Sequence, residues 1–150
     1  MSKPLTIIND GTKSNEDRLG TLGDIQYTLD NYEITDDVLI LGGDNLFTDS
    51  LENLLQTFER GSVIGLHDVG DLGLAQLFGN VTLDSNQKVI QFVEKPKNPS
   101  STLISTLVWA LRKDHLPLIK QTIQAGKNDH AGDLIAHICH DEDIYGIELE

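Results

Sequence analysis

The stretch that decides the fold is Val38-Leu39-Ile40-Leu41-Gly42-Gly43-Asp44-Asn45. Its apolar run follows two aspartates and ends at two glycines, which predicts a short β-strand covered on both faces. Ligands of open α/β sheets bind beyond the carboxyl ends of the strands, and Asp44 occupies such a position. A carboxylate there offers hard oxygen atoms to Mg²⁺, and the amide of Asn45 offers both a donor and an acceptor. We therefore interpret Asp44 as a magnesium ligand; the alternative is that Asp44 and Asn45 only form a turn.

The rest of the chain alternates short apolar runs with segments of helical periodicity. This alternation predicts βα units and a mainly parallel sheet, and therefore an α/β fold. The predicted strands cover residues 5–9, 38–41, 62–66, 77–83, 88–94, 102–111 and 144–148, with a hairpin turn at 84–87. Four helices are predicted. The first covers residues 21–32 and the last covers residues 131–140. Of the two between them, one is capped by Asp49 and ends before Gly61, and the other is capped by Asp114 and ends at Ala125.

The composition is that of one soluble domain spanning residues 1–150. Eleven Lys and Arg against 24 Asp and Glu give a formal charge of -13, and a surface that acidic repels the phosphate backbone of nucleic acids. The single cysteine, Cys139, cannot form an internal disulfide, which favours a reducing compartment. The sequence shows neither a leader nor an apolar run of about 18 residues, so we expect a cytoplasmic protein without a membrane partner.

A second candidate site is Glu94-Lys95-Pro96, at the end of a predicted strand. A carboxylate accepts hydrogen bonds from hydroxyl groups such as those of a sugar, and a neighbouring lysine is a compact cation for phosphate. Pro96 predicts an extended conformation for Lys95. The alternative is an ordinary pair of charged residues at an exposed strand end.

Two further features are weaker. Gly20-Thr21 opens a helix, where free backbone amides can hold an anion or the edge of a base, although a plain loop explains the pattern equally well. The histidines His130, His137 and His140 suggest a zinc site, but the chain contains neither a CxxC pair nor an H-E-x-x-H motif. Trp109, on the long strand, is predicted to be part of the core.

Taken in order, these segments resemble the sugar-1-phosphate nucleotidyltransferases, the family that includes glucose-1-phosphate thymidylyltransferase. The matching segments are Asn9-Asp10-Gly11-Thr12, Gly20-Thr21, Gly43-Asp44-Asn45, Phe78-Gly79-Asn80-Val81, Phe92-Val93-Glu94-Lys95-Pro96 and Ser105-Thr106. The resemblance implies a three-layer α/β/α Rossmann-like nucleotidyltransferase fold with a mixed, mainly parallel sheet. It also implies transfer of a nucleoside monophosphate from an NTP to a sugar 1-phosphate, with release of pyrophosphate.

The resemblance also implies roles for individual residues. Asp44 would hold Mg²⁺, Lys95 would contact the phosphate of the sugar, and Glu94 would accept from the sugar hydroxyls. Gly79 would let the backbone approach the sugar, and Gly20 would lie near the base. The remaining substrate-binding candidates on the matching segments are Thr21, Asn45 and Thr106.

The chain also departs from the family pattern. The family's Gly-rich loop with its Arg and Lys would precede Met1, and the segment carrying a second metal-binding Asp would follow Glu150. Leu107 stands where the family commonly has a Gly beside the sugar, and Trp109 stands for the usual Tyr. These departures predict a truncated domain whose transfer activity is impaired when the chain acts alone. The alternatives are a non-catalytic sugar-phosphate or nucleotide-binding or interaction module and, more remotely, a metal-binding regulator.

The family's first strand normally lies in the middle of the sheet. Without it, the neighbouring strands either pair again or leave edges that another copy of the chain covers. The sequence therefore predicts a homo-oligomer.

Overall fold

In the part of the chain that the structure describes, the strands form one six-stranded sheet with helices on both faces. The computed structural model describes residues 3–46, 50–127 and 129–149. The strands are β1 (Val38–Leu41), β2 (Ser62–Asp68), β3 (Gly79–Leu83), β4 (Val89–Glu94), β5 (Leu103–Leu111) and β6 (Ile144–Glu148). The helices are α1 (Thr21–Asn31), α2 (Glu52–Phe58), α3 (Leu72–Ala75), α4 (Leu116–Gln124) and α5 (Gly132–Ile138), with a 3₁₀ turn at Lys113–His115.

The long strand β5 organises the sheet. The strand order is β4-β3-β5-β2-β6, and β1 lies beside the C-terminal half of β5. Strands β1, β2, β3 and β6 run in one direction, while β4 and β5 run in the other. The predicted mixed sheet is confirmed. Strand β5 is antiparallel to its three described neighbours and β3 is antiparallel to β4, so β2 and β6 are the one parallel pair among the described strands. The prediction that the sheet is mainly parallel is therefore wrong, because the central strand β5 and the β3–β4 hairpin both supply antiparallel pairs.

Two apolar clusters hold the three layers together. On one face, α1, α4 and α5 pack against the sheet through residues that include Leu22, Leu29, Ile119, Leu134 and Trp109. On the other face, Leu54 of α2 packs against Val63, Val108 and Ala110. The three-layer α/β/α arrangement is thus the one that the sequence predicted. None of the helices described is both long enough and apolar enough to cross a membrane.

The strongly periodic elements lie where the sequence predicted them. Helix α1, strands β2 and β6, helix α5 and the hairpin of β3 and β4 agree with the predicted segments to within a few residues. Trp109 is a core residue, with 1% of its surface exposed. Each of these elements has an apolar stripe or run that faces a packed layer, which is the property that periodicity reports.

Three predictions about local structure are wrong, and one short helix was missed. Residues 5–9 form no strand, and they pair with no other described segment. Strand β1 is not covered on both faces, since Leu39 and Leu41 are each 46% exposed. Asp114 does not cap a helix, because a 3₁₀ turn precedes α4 and neither start has a side-chain cap. The short helix α3, capped by the side chain of Asp71, was not predicted. The predicted cap Asp49 lies outside the described residues.

Candidate functional site

A polar cleft of about 390 Å³ opens on the face of the sheet that carries α1 and α5. It lies where the first residue of α1, the start of β3, the end of β4 and the middle of β5 meet the start of α5. Its lining comprises Thr21, Leu77, Phe78, Gly79, Phe92, Glu94, Lys95, Ser105, Thr106, Leu107, Trp109, His130, Ala131 and Gly132. Five of the predicted site residues, Thr21, Gly79, Glu94, Lys95 and Thr106, therefore share one cleft.

Two glycines make room for the carboxylate of Glu94. Gly79 pairs with Glu94 across the hairpin, and a Cβ added at Gly79 would lie 3.2 Å from Glu94 Oε2. A Cβ added at Gly132 would lie 3.0 Å from the same oxygen and would overlap the ring of Phe92. The Glu94 carboxylate has no hydrogen-bond or ion-pair partner among residues 3–46, 50–127 and 129–149. It is therefore free to accept hydrogen bonds from a ligand.

Lys95 adopts a left-handed backbone conformation, with φ at 44°. The extended conformation predicted from Pro96 is wrong, because the amide of Lys95 donates to the carbonyl of Phe78 at 3.0 Å and turns the chain at the end of the hairpin. A positive φ is costly for a residue with a Cβ; such residues occur in turns, as at Glu33 and Gln87, and also at functional sites. The side chain of Lys95 is exposed at the rim of the cleft, so its ammonium is available to an anionic ligand.

The start of α1 brings Gly20 and Thr21 to the cleft. Gly20 has a φ of 76° and precedes the helix, and its carbonyl accepts from the amide of Asp24 at 2.9 Å. The next residue, Thr21, lines the cleft. Gly20 itself is not part of the lining and lies directly beside it.

Alternate residues of β5 face the cleft. The indole Nε1 of Trp109 donates to Ser105 Oγ at 3.3 Å, and Leu107 lies between the two residues on the same side of the strand. Thr106 borders the cleft, but its hydroxyl donates to the carbonyl of Gly65 at 3.0 Å. The proton of that hydroxyl is thus already used within the sheet, and the carbonyl of Thr106 accepts from the hydroxyl of Ser105 at 3.2 Å.

Asp44 and Asn45 lie next to the cleft but do not line it. They follow β1 in a turn that the amide of Asn45 closes by donating to the carbonyl of Gly42 at 3.2 Å. The amide of Gly42 donates to the carbonyl of Leu107 at 2.6 Å, so this turn abuts the wall of the cleft at Leu107. The turn at Asp44 and Asn45 that the sequence offered as the alternative to a metal site is present. The carboxylate of Asp44 is exposed on it.

The histidines near the C-terminus form no metal centre. His137 Nδ1 lies 2.7 Å from the hydroxyl of Thr122, and His130 Nε2 lies 3.6 Å from a carboxylate oxygen of Asp129. Within the described ranges there is no group of three or more His, Cys, Asp or Glu side chains that could hold a metal ion. The zinc hypothesis therefore has no support from the geometry, and His130 lines the cleft instead.

The loop of residues 9–12 lies away from the cleft and stabilises its own turn. Hydrogen bonds from the hydroxyl and then the amide of Thr12 lower the pKa of Asp10. Burial raises the pKa of Asp24 in α1, and the nearby charge of Asp10 raises it further. Residues 9–12 are not among those that line the cleft.

Ser62, His115 and Glu142 are arranged in the order of a catalytic triad. Ser62 Oγ is 2.7 Å from His115 Nδ1, and His115 Nε2 is 3.2 Å from Glu142 Oε2. However, Ser62 is fully buried, and its Oγ accepts from the amide of Arg112 at 2.9 Å. A hydroxyl so enclosed cannot reach a substrate, so this network connects β2, the 3₁₀ turn and the segment before β6.

Asn80 is a buried residue whose role the sequence did not reveal. Its Nδ2 donates to the carbonyls of Ser101 at 2.8 Å and Leu103 at 3.0 Å, and its Oδ1 accepts from the amide of Ser100 at 3.0 Å. These bonds fasten residues 100–103, where the loop after Lys95 ends and β5 begins, to β3. Asn80 therefore fixes the β5 end of the loop that leaves the cleft.

We expect Asn80→Ala to lower the free energy of unfolding by about 2–3 kcal/mol, because it leaves buried backbone groups without partners. Urea denaturation followed by circular dichroism measures this change. The exposed Asn98 on the same loop, as Asn98→Ala, is the matched control and should change stability by less than about 0.5 kcal/mol. Equal effects of the two variants would contradict the anchoring role of Asn80.

Comparison with known proteins identifies the family. A family model described as Nucleotidyl transferase matches residues 7–146. The bifunctional protein GlmU of Methanocaldococcus jannaschii is 30% identical over 117 residues, which cover 77% of this chain and 27% of that protein. The glucose-1-phosphate adenylyltransferase of Thermosipho africanus is 26% identical over 132 residues, covering 80% of this chain and 32% of that protein. The chain thus spans about a third or less of the length of these curated relatives.

A solved structure shares the fold. A Bacillus anthracis protein assigned as a glucose-1-phosphate thymidylyltransferase, in complex with a sucrose, superposes with a TM-score of 0.72 at 21% identity. The match covers 89% of this chain and 55% of that one. The fold is that of a nucleotidyl-transferase-type α/β domain. The chain belongs to the sugar-1-phosphate nucleotidyltransferase family, as its motifs predicted.

Proposed function

We propose that this chain supplies the sugar-phosphate half of a nucleotidyltransferase site. The reaction is transfer of a nucleoside monophosphate from an NTP to a sugar 1-phosphate, with release of pyrophosphate. The observation that carries the proposal is that one cleft contains both the Glu94 carboxylate, which has no hydrogen-bond partner among the described residues, and the exposed side chain of Lys95. A sugar 1-phosphate presents hydroxyls and a phosphate on neighbouring carbons, and the two side chains complement those groups in charge and in hydrogen bonding.

The chain's own residues contribute mainly by positioning. Glu94 accepts hydrogen bonds from the sugar hydroxyls, while the absence of a side chain at Gly79 lets the backbone approach the ring. Lys95 holds the sugar's phosphate, whose oxygen attacks the α-phosphorus of the NTP as pyrophosphate leaves. In phosphoryl transfer, orientation of the reactants and compensation of charge supply most of the catalysis. Thr21, at the start of α1, lies on the side of the cleft proposed for the nucleotide.

Asp44 fits a role as a single protein ligand to Mg²⁺. Its carboxylate is exposed, and the side-chain amide of Asn45 lies 3.5 Å from Oδ1. Mg²⁺ is commonly bound by one or two carboxylates together with substrate phosphates and water. When bound, the ion would offset negative charge on the phosphates. Leu107, which separates the Asp44 turn from the cleft, narrows the space between metal and sugar and restricts the sugars that fit.

The first test is ligand-dependent thermal stabilisation in the presence of Mg²⁺. The panel comprises NTPs, sugar 1-phosphates and nucleotide sugars. A ligand at about 100 times its Kd adds about 2.7 kcal/mol to the free energy of unfolding, which moves the melting midpoint measurably. We expect one nucleotide sugar to raise the midpoint in a Mg²⁺-dependent manner and Asp44→Ala to abolish that rise.

The control is Asp141→Ala, which removes an exposed aspartate at the opposite end of α5 from the cleft. It should respond to ligands as the unmodified chain does. Trp109, the only tryptophan of the chain, lines the cleft, so its fluorescence gives a second signal for binding. If no ligand changes either the midpoint or the fluorescence, this chain lacks the proposed half-site.

A further inference from the structure

One acid–base side chain of the cleft has no role in the reaction proposed above. Among the residues that line the cleft, three have acidic or basic side chains, namely Glu94, Lys95 and His130. Glu94 and Lys95 belong to the hairpin and are assigned to the sugar hydroxyls and the phosphate. His130 precedes α5, and its side chain is 45% exposed, so a small ligand can reach it.

The order of residues along one wall places His130 between the two proposed halves of the ligand. At one end, the amide of Thr21 donates to the carbonyl of Asp129 at 3.4 Å, so the residue before His130 touches the side proposed for the nucleotide. At the other end, Gly132 lies against the Glu94 carboxylate, on the side proposed for the sugar hydroxyls. A sugar 1-phosphate and a nucleotide meet at their phosphates. The part of a bound ligand next to His130 is therefore phosphate.

Neighbouring residues hold His130 in position. Its amide donates to Asp133 Oδ2 at 3.3 Å, and the amide of Asp133 donates back to the carbonyl of His130 at 3.1 Å. His130 Nε2 lies 3.6 Å from Asp129 Oδ2, while Asp129 Oδ1 accepts from Arg18 at 2.6 Å. The position of His130 is thus fixed relative to both α5 and the segment that precedes α1.

The charges around the cleft leave a phosphate only partly compensated. Five charged side chains contact His130, pair with its neighbour or share the cleft with it: Arg18, Glu94, Lys95, Asp129 and Asp133. Arg18 is paired with a carboxylate, so the cation that remains for a ligand is Lys95. A phosphate monoester carries about 1.5 to 2 negative charges near neutral pH, which is more than one lysine neutralises. Because the chain has a formal charge of -13, a further cation at the phosphate has to come from within the cleft.

We propose that protonated His130 is a second cationic contact to the phosphate of the ligand, beside Lys95, and that ligand affinity therefore rises as the pH falls. Imidazole side chains gain their second ring proton between about pH 8 and pH 5. With that proton, Nε2 remains beside Asp129 and Nδ1 donates to the phosphate. Without it, the ring is neutral and Lys95 alone supplies positive charge. This inference rests on the proposed function, because it assumes that a phosphate occupies the cleft.

Titration with sodium sulfate at two pH values tests the inference. Sulfate has the shape of a phosphate dianion, and its own charge stays constant over the range in which imidazole titrates. The fluorescence of Trp109 reports binding, and NaCl keeps the ionic strength constant. We expect the affinity of the unmodified chain to be about fivefold higher at about pH 5.5 than at about pH 8, the effect of one partly exposed charge.

Three variants separate the charge of His130 from other effects of pH. His130→Gln keeps a hydrogen-bonding side chain without a charge, and it should bind sulfate equally at both pH values. His130→Lys keeps a positive charge throughout, and it should bind with the higher affinity at both. His140→Gln is the matched control: it alters an exposed histidine beyond the far end of α5 and should keep the full pH dependence.

The outcomes distinguish this inference from the function on which it rests. A pH dependence that persists in His130→Gln, or that His140→Gln loses to the same extent, would overturn the inference. So would sulfate binding that is absent or equal at both pH values in the unmodified chain. In each case Lys95 remains as the phosphate contact, and the proposed function stands or fails on the ligand panel at a single pH. Failure of the proposed function would appear there as the absence of any response to a sugar 1-phosphate or a nucleotide sugar.

Discussion

Replacing Trp109 by alanine is expected to lower the free energy of unfolding by about 3–5 kcal/mol, the range for deleting a buried aromatic side chain. Trp109 is 1% exposed and lies in the part of β5 that pairs with β1 on one side and β2 on the other. Its ring belongs to the cluster that joins the sheet to α1, α4 and α5. The substitution therefore removes the contacts by which this part of β5 packs against the helical layer.

Urea denaturation followed by far-ultraviolet circular dichroism is the measurement, because the substitution removes the chain's only tryptophan fluorescence. Trp109→Phe keeps an aromatic ring at the position and should cost roughly half as much. A loss below about 1 kcal/mol for Trp109→Ala would mean that the centre of the sheet is not packed as described. An additional opening of the cleft is expected, since the same ring forms part of its wall.

The sequence predicted the elements whose apolar pattern matches a packed layer. The run of β2 and the alternation in the hairpin report burial directly, and so do the stripes of α1 and α5. Residues 5–9 have an equally apolar pattern but form no strand. A strand needs a hydrogen-bonding neighbour, and the sequence pattern contains no information about whether a neighbour exists. In the same way, the apolar run of β1 does not show whether other elements cover both of its faces.

Sequence motifs predicted some residues of the candidate site. They did not predict residues that reach the site only through contacts between distant parts of the chain. Glu94 and Lys95 were found because they are adjacent and end a strand, and the cleft contains both. Gly132 was missed: it lies 38 positions from Glu94 along the chain, yet it makes room for that carboxylate. Asn80 belongs to a motif, but its role depends on hydrogen bonds to a loop twenty residues away. Such proximity is created by the tertiary fold alone.

The backbone of Lys95 shows how the site departs from what local sequence predicts. A residue before proline favours extended conformations, yet Lys95 has a φ of 44°. For a residue with a Cβ, the left-handed region costs about 1–2 kcal/mol, a cost that glycine avoids. The hydrogen bond from the Lys95 amide to Phe78 helps to hold this conformation at the rim of the cleft. Strain of this kind is expected where the position of a side chain matters for function.

Lys95→Gly and Lys95→Ala separate the backbone strain from the charge. Both variants remove the ammonium, and we expect each to weaken binding of the phosphorylated ligand by about 30- to 140-fold, since a hydrogen bond to a charged group contributes about 2–3 kcal/mol. Lys95→Gly alone relieves the strain, so it should be about 1 kcal/mol more stable than Lys95→Ala. Titration of Trp109 fluorescence gives the affinities, and urea denaturation gives the stabilities.

The exposed Lys97 provides the matched control for charge. Lys97→Ala removes one cation from the same loop, and it should leave ligand affinity within about twofold, because Lys97 does not line the cleft. Affinity that falls equally in Lys95→Ala and Lys97→Ala would indicate a general electrostatic effect of the loop. Affinity that falls in Lys95→Ala but not in Lys95→Gly would instead assign the loss to the backbone. If affinity falls in both Lys95 variants and not in Lys97→Ala, the phosphate binds at Lys95. The difference in stability between Lys95→Gly and Lys95→Ala then measures the free energy of the strained backbone conformation at this position.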